Sequence, residues 1–245
     1  RMPDEQPRLD LPQARPGGRR AHSSPETPPV TMPLPALAFD AGLVAKYDQF
    51  GPRYTSYPTA DRFHDGFGPA QYVEALAQRN HERPDQPLSL YVHLPFCNTI
   101  CYYCACNKVL TKDHGRSAKY IRYVEREIAL VSALIEGAPP VVQLHWGGGT
   151  PTFLSRDEMK TLMDALRARF VFAPDAEVSI EVDPRKVEPD TIAYLGELGF
   201  NRLSVGIQDF DPEVQAAVNR IQSEAETRAV MDAARRSGFV SVNAD

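Results

Sequence analysis

The chain has 245 residues, of which 42% are hydrophobic and 24% are charged. These are ordinary values for a globular protein, and the length suits one large domain or two small ones. A net charge of −5 argues against binding to nucleic acid or an anionic membrane through bulk positive charge. No apolar run approaches the roughly 18 residues that span a bilayer, and the amino terminus has no apolar signal core. We therefore expect a cytoplasmic protein.

Residues 1–35 differ from the rest of the chain in composition. They hold nine of the 22 prolines, together with Arg, Ser and Gly and few large apolar side chains. Such a segment buries too little apolar surface to offset the entropy lost on ordering it. We expect a disordered leader over 1–35, a segment over 36–87 that packs on the main domain, and the main domain over 88–245. Because the chain stops at a predicted strand, we expect that domain to be incomplete.

From residue 88 onward, short β-rich runs alternate with longer stretches of helical periodicity. The predicted strands are residues 88–94, 141–146, 177–182, 202–207 and 239–244. The predicted helices are marked by apolar residues over 120–135 and 159–170 and by the segments 190–198, 211–217 and 224–237. A capping box, Ser155 with Glu158, opens the second helix. This alternation is typical of a parallel sheet, either doubly wound or closed into a barrel.

Each predicted strand has one aliphatic and one polar face. In the first strand, Leu90, Val92 and Leu94 alternate with Tyr91 and His93. Strands covered by helices on both faces are apolar on both, unlike these. The pattern favours an α/β fold, a partial (β/α) barrel of about five strands whose interior is lined for a polar ligand. The alternative is an antiparallel sheet with one solvent-exposed face, which the intervening helices disfavour.

All four cysteines lie within ten residues, directly after the first predicted strand; they are Cys97, Cys101, Cys104 and Cys106. A disulfide framework would place its cysteines further apart, to close longer loops. The first three have the spacing C-x3-C-x2-C, with which one loop can wrap three corners of a cubane iron–sulfur cluster. Structural zinc sites usually pair two separated knuckles, and the chain has no second one. The spacing favours a cluster with one iron open, with zinc or free thiols as alternatives.

The cysteine spacing after the first strand resembles the signature of the radical S-adenosylmethionine (SAM) enzymes. Further motifs resemble one branch of that family, the oxygen-independent coproporphyrinogen III oxidases; they lie at residues 53–60, 106–108, 145–152, 179–185 and 206–210. The resemblance implies a radical SAM type of partial barrel with a 4Fe-4S cluster and two SAM molecules. It implies oxidative decarboxylation of coproporphyrinogen III to protoporphyrinogen IX in haem synthesis, through a 5′-deoxyadenosyl radical.

The resemblance also implies roles for individual residues. The cluster ligands are Cys97, Cys101 and Cys104. The contacts to the first SAM molecule are Tyr91, Gly148 and Glu181, and those to the second are Tyr103, Gly149, Thr150, Gln208, Arg220 and Asp245. Cys106 is not a ligand in the family but belongs to the oxidase version of the motif, so we expect it to act in catalysis.

Each of these roles has a structural alternative. The glycines at 147–149 can form a tight strand-to-helix turn. Glu181 can form a buried ion pair with Arg185 or Arg202, Arg220 can be a solvated helix residue, and Tyr103 can pack its loop. The histidines His93 and His145 share the polar face with Tyr91, where a structural role competes with proton donation.

The resemblance implies coproporphyrinogen III as substrate and an external electron donor such as a flavodoxin- or ferredoxin-type reductant. We expect no nucleic acid, no membrane span and a monomer. One alternative is a haem-trafficking chaperone of the same superfamily, a branch that typically lacks the fourth cysteine and the segment over 53–58, both present here. A second alternative is a zinc protein without redox chemistry.

Overall fold

The computed structural model describes residues 40–48, 59 and 62–244. The predicted leader, all of the 53–60 motif except Thr59, and Asp245 lie outside the described residues. The chain divides into two units, residues 1–63 and 64–245. In the first unit, helix α1 (Ala41–Tyr47) begins at Asp40, whose carboxylate accepts hydrogen bonds from two backbone N–H groups of the first turn.

The second unit contains the strands of the main sheet and a short additional pair. The strands are β1 (Leu88–Leu94), β2 (Phe96–Cys97), β3 (Val109–Leu110), β4 (Val141–Gly148), β5 (Phe172–Val182), β6 (Arg202–Val205) and β7 (Ser241–Ala244). Five of them form one sheet in the order β1-β4-β5-β6-β7, and β2 pairs with β3. Every pairing in the main sheet is parallel. The predicted parallel α/β fold is confirmed, and the antiparallel alternative is wrong.

Helices connect these strands as the periodicity predicts, and one further helix of this unit, which was not predicted from the sequence, precedes β1. They are α2 (Pro69–Glu82), α3 (Gly115–Ser132), α4 (Arg156–Arg167), α5 (Pro189–Glu197), α6 (Pro212–Ala217) and α7 (Glu224–Arg236), with 3-10 turns at Pro151–Phe153 and Pro184–Lys186. The predicted capping box is present: Ser155 Oγ accepts from the Glu158 N–H, and the Glu158 carboxylate accepts from the Ser155 N–H. None of the helices within 40–48 and 62–244 combines the length and hydrophobicity needed to traverse a bilayer.

The hydrophobic core lies between the aliphatic face of the sheet and the helices. Its fully buried strand residues include Leu144, Trp146 and Ile180, which pack with Leu162 of α4 and Leu195 of α5. Each such side chain contributes roughly 1.5–3 kcal/mol by leaving water. The polar residues of the same strands are partly exposed on the opposite face, as the alternation predicts. Helices therefore cover one face and leave the polar face for the site.

Four strand boundaries differ from the predicted ones. Strand β4 runs on to Gly148 rather than ending at 146, and β7 begins at Ser241 rather than 239. Strand β5 begins at Phe172 rather than 177, because Phe172 pairs with Val141 across an irregularity in the β4–β5 register. Strand β6 ends at Val205 rather than 207, and Gln208 soon after has a φ of +69°, which no strand residue adopts. Since the strands are parallel, their carboxyl ends and the loops that follow meet at one edge of the sheet.

Candidate active site

A cavity of about 320 Å³ lies at the carboxyl ends of β4, β5 and β6, beside the cysteine loop that follows β1. The predicted site residues that line it are Cys97, Cys101, Tyr103, Cys104, Cys106, Gly148, Gly149, Thr150, Glu181, Gln208 and Arg220. Tyr91 is not among the lining residues, and its side chain is largely exposed on the polar face of β1. One cavity therefore gathers residues that lie more than 120 positions apart in the sequence.

The cysteine loop, residues 97–108, is closed at its base by backbone pairing. The N–H of Thr111 donates to the carbonyl of Cys97 at 3.0 Å, within the short β2–β3 pair. Lys108 Nζ folds back and donates to the carbonyl of Cys104 at 2.8 Å and to that of Cys106 at 3.4 Å. These bonds hold the cysteine backbone in a compact curve without using the thiols.

The other side of the loop is attached to the segment between α6 and α7. The N–H of Tyr102 donates to the carbonyl of Val218 at 3.0 Å, and Asn219 Nδ2 donates to the carbonyl of Ile100 at 2.7 Å. Asn219 has a φ of +55°, a conformation that Asn tolerates better than most residues. Two distant segments of the chain thus fix the position of the cysteines.

The thiols have different surroundings. Cys97 Sγ lies 3.7 Å from the hydroxyl of Thr150, and burial raises the pKa of Cys97. Cys101 Sγ lies 3.7 Å from a guanidinium nitrogen of Arg185 and 3.7 Å from one of Arg220. Cys106 is exposed, although burial of part of its surface raises its pKa.

The donor set fits a thiolate-bound cubane cluster. Three part-buried thiols on one loop face a cavity that also has unsatisfied polar atoms, since Asn98 Oδ1 and Thr152 Oγ1 are buried without a hydrogen-bond partner. Sulfur ligands select iron–sulfur clusters, copper or zinc over hard cations. Within residues 62–244, no three His, Cys, Asp or Glu side chains converge closely enough to hold a single metal ion. In a cubane each thiolate binds a different iron, so its ligands need not converge on one point.

Glu181 is held at the carboxyl end of β5 by two donors. Its carboxylate accepts a hydrogen bond from His145 Nε2 at 3.2 Å and one from the Gly148 N–H at 3.2 Å. Burial acts to raise the pKa of Glu181, but these donors outweigh burial and leave the pKa below its ordinary value. The carboxylate is therefore ionised at neutral pH while keeping lone pairs for a ligand.

The alternative of an ion pair between Glu181 and an arginine is wrong. Arg185 pairs with Asp183 at 2.6 Å, and Arg202 pairs with Glu177 at 2.6 Å. These pairings leave Glu181 to His145 of the neighbouring strand.

A chain of polar contacts crosses the polar face from β1 to β5. The hydroxyl of Tyr91 lies 3.0 Å from His93 Nδ1, and His93 Nε2 donates to the carbonyl of Asn107 at 2.8 Å. The Tyr91 ring stacks on His145 at 5.8 Å with a 13° interplanar angle, and His145 Nδ1 lies 2.6 Å from Ser179 Oγ. Both rings have both nitrogens engaged, which supports the structural interpretation of these histidines.

Asp183 is a part-buried carboxylate that contacts two arginines, Arg185 and Arg220. Arg185 Nε and Nη2 lie 2.9 and 2.6 Å from its two carboxylate oxygens, and Arg220 Nη2 lies 3.7 Å from one of them. Burial acts to raise the pKa of Asp183, but the bonds from Arg185 and the charge of Arg220 outweigh it and lower the pKa. Arg220 lies between α6 and α7 and is 9% exposed, so its interpretation as a solvated helix residue is wrong.

The glycine turn after β4 packs closely against the chain itself. Gly148 has a φ of +115°, and a Cβ at that position would lie 2.6 Å from the His93 ring. A Cβ at Gly149 would lie 2.7 Å from the carbonyl of Pro95. These close contacts support the interpretation of the glycines as a tight turn. The approach of the same glycines to a ligand stays a prediction.

Tyr103 and Gln208 lie at the exposed rim of the cavity. Burial of its hydroxyl raises the pKa of Tyr103 to about 12, although the charge of Arg220 opposes that shift. Tyr103 therefore stays protonated near neutral pH and presents a neutral ring for stacking or packing.

Among the further residues that line the cavity, four charged ones had no site role predicted from the sequence: Lys108, Asp183, Arg185 and Lys186. Asp183 and Arg185 belong to the 179–185 motif, and an acid directly after a buried strand was a usable signal for them. The contacts of Lys108 with loop carbonyls had no such signal, because they depend on the loop conformation.

Comparisons with known proteins agree with this geometry. The Radical SAM superfamily matches residues 91–244, which is more than half of the chain. The oxygen-independent coproporphyrinogen III oxidase of Pseudomonas aeruginosa is 52% identical over 214 residues, covering 86% of this chain and 46% of that protein. The Escherichia coli protein of the same name is 47% identical over 214 residues, covering 87% of this chain and 46% of that protein.

A solved structure shows the same fold. The coproporphyrinogen III oxidase from Escherichia coli, described as a radical SAM enzyme, superimposes with a TM-score of 0.74 at 47% sequence identity. The match covers 83% of this chain and 44% of that one, so the chain spans slightly less than half the length of these relatives. With its parallel sheet, its three-cysteine loop after β1 and a superfamily match that runs through both, the chain belongs to the radical SAM superfamily.

Proposed function

We propose that the protein of which this chain forms part converts coproporphyrinogen III to protoporphyrinogen IX without oxygen, in haem synthesis. The observation that carries the proposal is one cavity lined by Cys97, Cys101 and Cys104 together with Glu181 and Arg220. Relatives at 52% and 47% identity bear the name of that activity. The motifs at 106–108 and 206–210 resemble the same branch of the superfamily.

The cysteine loop and the cavity fit a 4Fe-4S cluster, and the family resemblance implies two SAM molecules beside it. Cys97, Cys101 and Cys104 would bind the cluster, whose bound form supplies single electrons and converts SAM into an oxidant able to take hydrogen from a C–H bond. The first SAM molecule is assigned to Tyr91, Gly148 and Glu181. The second is assigned to a larger group: Tyr103, Gly149, Thr150, Gln208, Arg220 and Asp245.

The chain's own residues are arranged to bind and orient such ligands before chemistry begins. Glu181 is ionised and fixed by His145 and Gly148, so it can accept hydrogen bonds from an ammonium or from hydroxyls at low entropic cost. Arg220 is buried, and it donates to the carbonyl of Gly206 at 2.8 Å. Its Nε faces Gln222 and its Nη1 faces Cys101, so one N–H on Nη1 is left to donate to a ligand carboxylate.

The reaction makes the same chemical change at each of two propionate side chains. A β-hydrogen atom leaves to the SAM-derived oxidant, the carboxylate leaves as carbon dioxide, and one electron leaves to an acceptor, which gives a vinyl group. Cys106 lines the cavity as an exposed thiol, and we assign it to catalysis rather than to the cluster.

The cellular setting follows from the same proposal. Electrons for the cluster come from an external flavodoxin- or ferredoxin-type reductant, and the protein works as a cytoplasmic monomer. The exposed rim of the cavity, with Tyr103 and Cys106, is the side from which a large substrate can enter.

An anaerobic assay of the full-length protein tests the proposal. After iron–sulfur reconstitution, the protein is incubated with SAM, reductant and coproporphyrinogen III. Formation of protoporphyrinogen together with 5′-deoxyadenosine is the expected result. A fully loaded cluster with no decarboxylation overturns the proposal in favour of a haem chaperone. Zinc in place of iron and sulfide overturns the cluster site itself.

A further inference from the structure

Two buried guanidinium groups share one carboxylate beside a single thiol. Arg185 and Arg220 both contact Asp183, and the three side chains are only 10–12% exposed. Each guanidinium also has an N–H directed at Cys101 Sγ, at 3.7 Å in both cases. Both guanidinium groups therefore donate toward the same atom, the sulfur of Cys101.

The charges of Arg185, Arg220 and Asp183 do not cancel. Within the part of the chain that the structure describes, Asp183 is the carboxylate at ion-pair distance from these two arginines, which leaves one positive charge in excess. Buried charges are stable when they are paired and hydrogen-bonded. The excess charge is therefore suited to lie beside a cluster whose ligands are anionic thiolates.

Arg185 is the more rigid of the two donors. Its Nε, its Nη2 and its backbone N–H all donate to Asp183, at 2.9, 2.6 and 3.1 Å. These bonds fix the plane of the guanidinium, so the N–H that faces Cys101 has little freedom to turn away. Arg220 is already assigned to a SAM molecule, whereas no ligand contact has been assigned to Arg185.

We propose that Arg185, oriented by Asp183, is a positioning residue that donates a hydrogen bond to the Cys101 sulfur and raises the reduction potential of the cluster. This inference rests on the proposed cluster site. Reduction adds one electron, supplied by the external reductant, to a group bound by anionic thiolates. A positive charge and an N–H donor at a ligand sulfur stabilise the more negative reduced state more than the oxidised one.

Arg202 is the matched control for Arg185. It forms an ion pair of the same length, 2.6 Å, with Glu177 on the same sheet. It lies at the start of β6, at the opposite end of the strands, and is not among the residues that line the cavity. If the loss of any paired arginine changes the protein, Arg185→Gln and Arg202→Gln both show the change. An effect on the cluster is expected in Arg185→Gln alone.

The experiment is an anaerobic redox titration of the full-length, reconstituted protein, followed by the electron paramagnetic resonance of the reduced cluster. We expect Arg185→Gln to keep its iron and sulfide and to have a lower midpoint potential than the wild type. Arg185→Lys keeps the positive charge, and its midpoint potential is expected to lie between those of Arg185→Gln and the wild type. Arg202→Gln is expected to have the midpoint potential of the wild type. An unchanged potential in a fully loaded Arg185→Gln protein overturns the inference and leaves the proposed function intact.

A second measurement does not require the Arg185→Gln protein to hold its cluster. In Arg220→Gln protein labelled with ¹⁵N-arginine, Arg185 is the remaining guanidinium at Cys101. We expect a weak ¹⁵N coupling in the pulsed resonance spectrum of the reduced cluster, as in the labelled wild type. Absence of the coupling from a loaded Arg220→Gln protein overturns the inference, whether or not the wild type shows it, because coupling in the wild type can come from Arg220. Failure of the wild type to take up iron and sulfide overturns the proposed site and the inference together.

Discussion

At the scale of single residues, the four cysteines differ in what their sulfur atoms contact. Cys101 faces two guanidinium groups and Cys97 faces a hydroxyl, whereas Cys106 is exposed at the cavity rim. The three cysteines that the spacing groups as ligands are part-buried, and the fourth is exposed, so burial separates the two groups.

The cysteine assignments are tested by two single substitutions in the full-length protein. Cys101→Ser is expected to abolish cluster loading, because a serine hydroxyl is a poor substitute for a soft thiolate ligand. Cys106→Ser is expected to keep iron and sulfide near the wild-type content and to lose activity. Iron and sulfide analysis after reconstitution checks the loading of both variants, and the anaerobic assay checks the activity of Cys106→Ser. Full loading of Cys101→Ser contradicts its assignment as a ligand. A large loss of iron from Cys106→Ser contradicts its status as a non-ligand, and full activity contradicts its assignment to catalysis.

At the scale of elements, the glycine turn after β4 and the cysteine loop after β1 form one packed unit. The Gly149 N–H donates to the carbonyl of Leu94 at 2.8 Å, and the Thr150 N–H donates to that of Phe96 at 2.8 Å. These bonds continue the β1–β4 pairing past the ends of the strands, up to the first cysteine. The position of Cys97 therefore depends on how closely residue 149 can approach the backbone of Pro95.

Gly149→Ala is expected to destabilise this unit. The added Cβ would lie 2.7 Å from backbone atoms of Pro95, which cannot rotate away as a side chain can. Overpacking of this kind costs about 1–3 kcal/mol. We expect that loss in the free energy of unfolding, measured with denaturant, together with a lower iron content after reconstitution. Gly68→Ala is the control, because its nearest neighbour is a side-chain atom at 3.5 Å. Equal stability of the two variants contradicts the packing argument.

The elements and the site differ in how much of them could be predicted from the sequence. Apolar periodicity and a capping box are local signals, so the strands of the main sheet and the helices between them were predicted with errors of a few residues. Helix α2 and the short β2–β3 pair were not predicted. The partner of Glu181 could not be predicted, because it depends on the register that places His145 opposite Ser179. The Asp183–Arg185 pair is a local contact, but its relation to Cys101 depends on a fold that brings residues 84 positions apart together.

At the scale of the whole molecule, charge is distributed unevenly. The chain has a net charge of −5, yet its cavity is lined by four basic side chains (Lys108, Arg185, Lys186 and Arg220) and two acidic ones (Glu181 and Asp183). A positively charged cleft in a molecule of negative net charge concentrates the electrostatic field at the opening of the cleft. The proposed substrate carries propionate carboxylates, so this field attracts it toward the cysteine loop.

Lys186 is the exposed member of the basic group, and its substitution tests this electrostatic role. Lys186→Gln in the full-length protein is expected to raise the KM for coproporphyrinogen III by up to about fivefold at low salt, since an exposed ion pair contributes up to about 1 kcal/mol. The value of kcat stays unchanged because Lys186 contacts no thiol. The difference from the wild type shrinks as ionic strength rises and the Debye length falls below about 10 Å. Lys119→Gln, on the exposed face of α3, makes the same change in net charge away from the cavity and is expected to behave as the wild type. If both variants change KM equally, net charge rather than the local field governs binding.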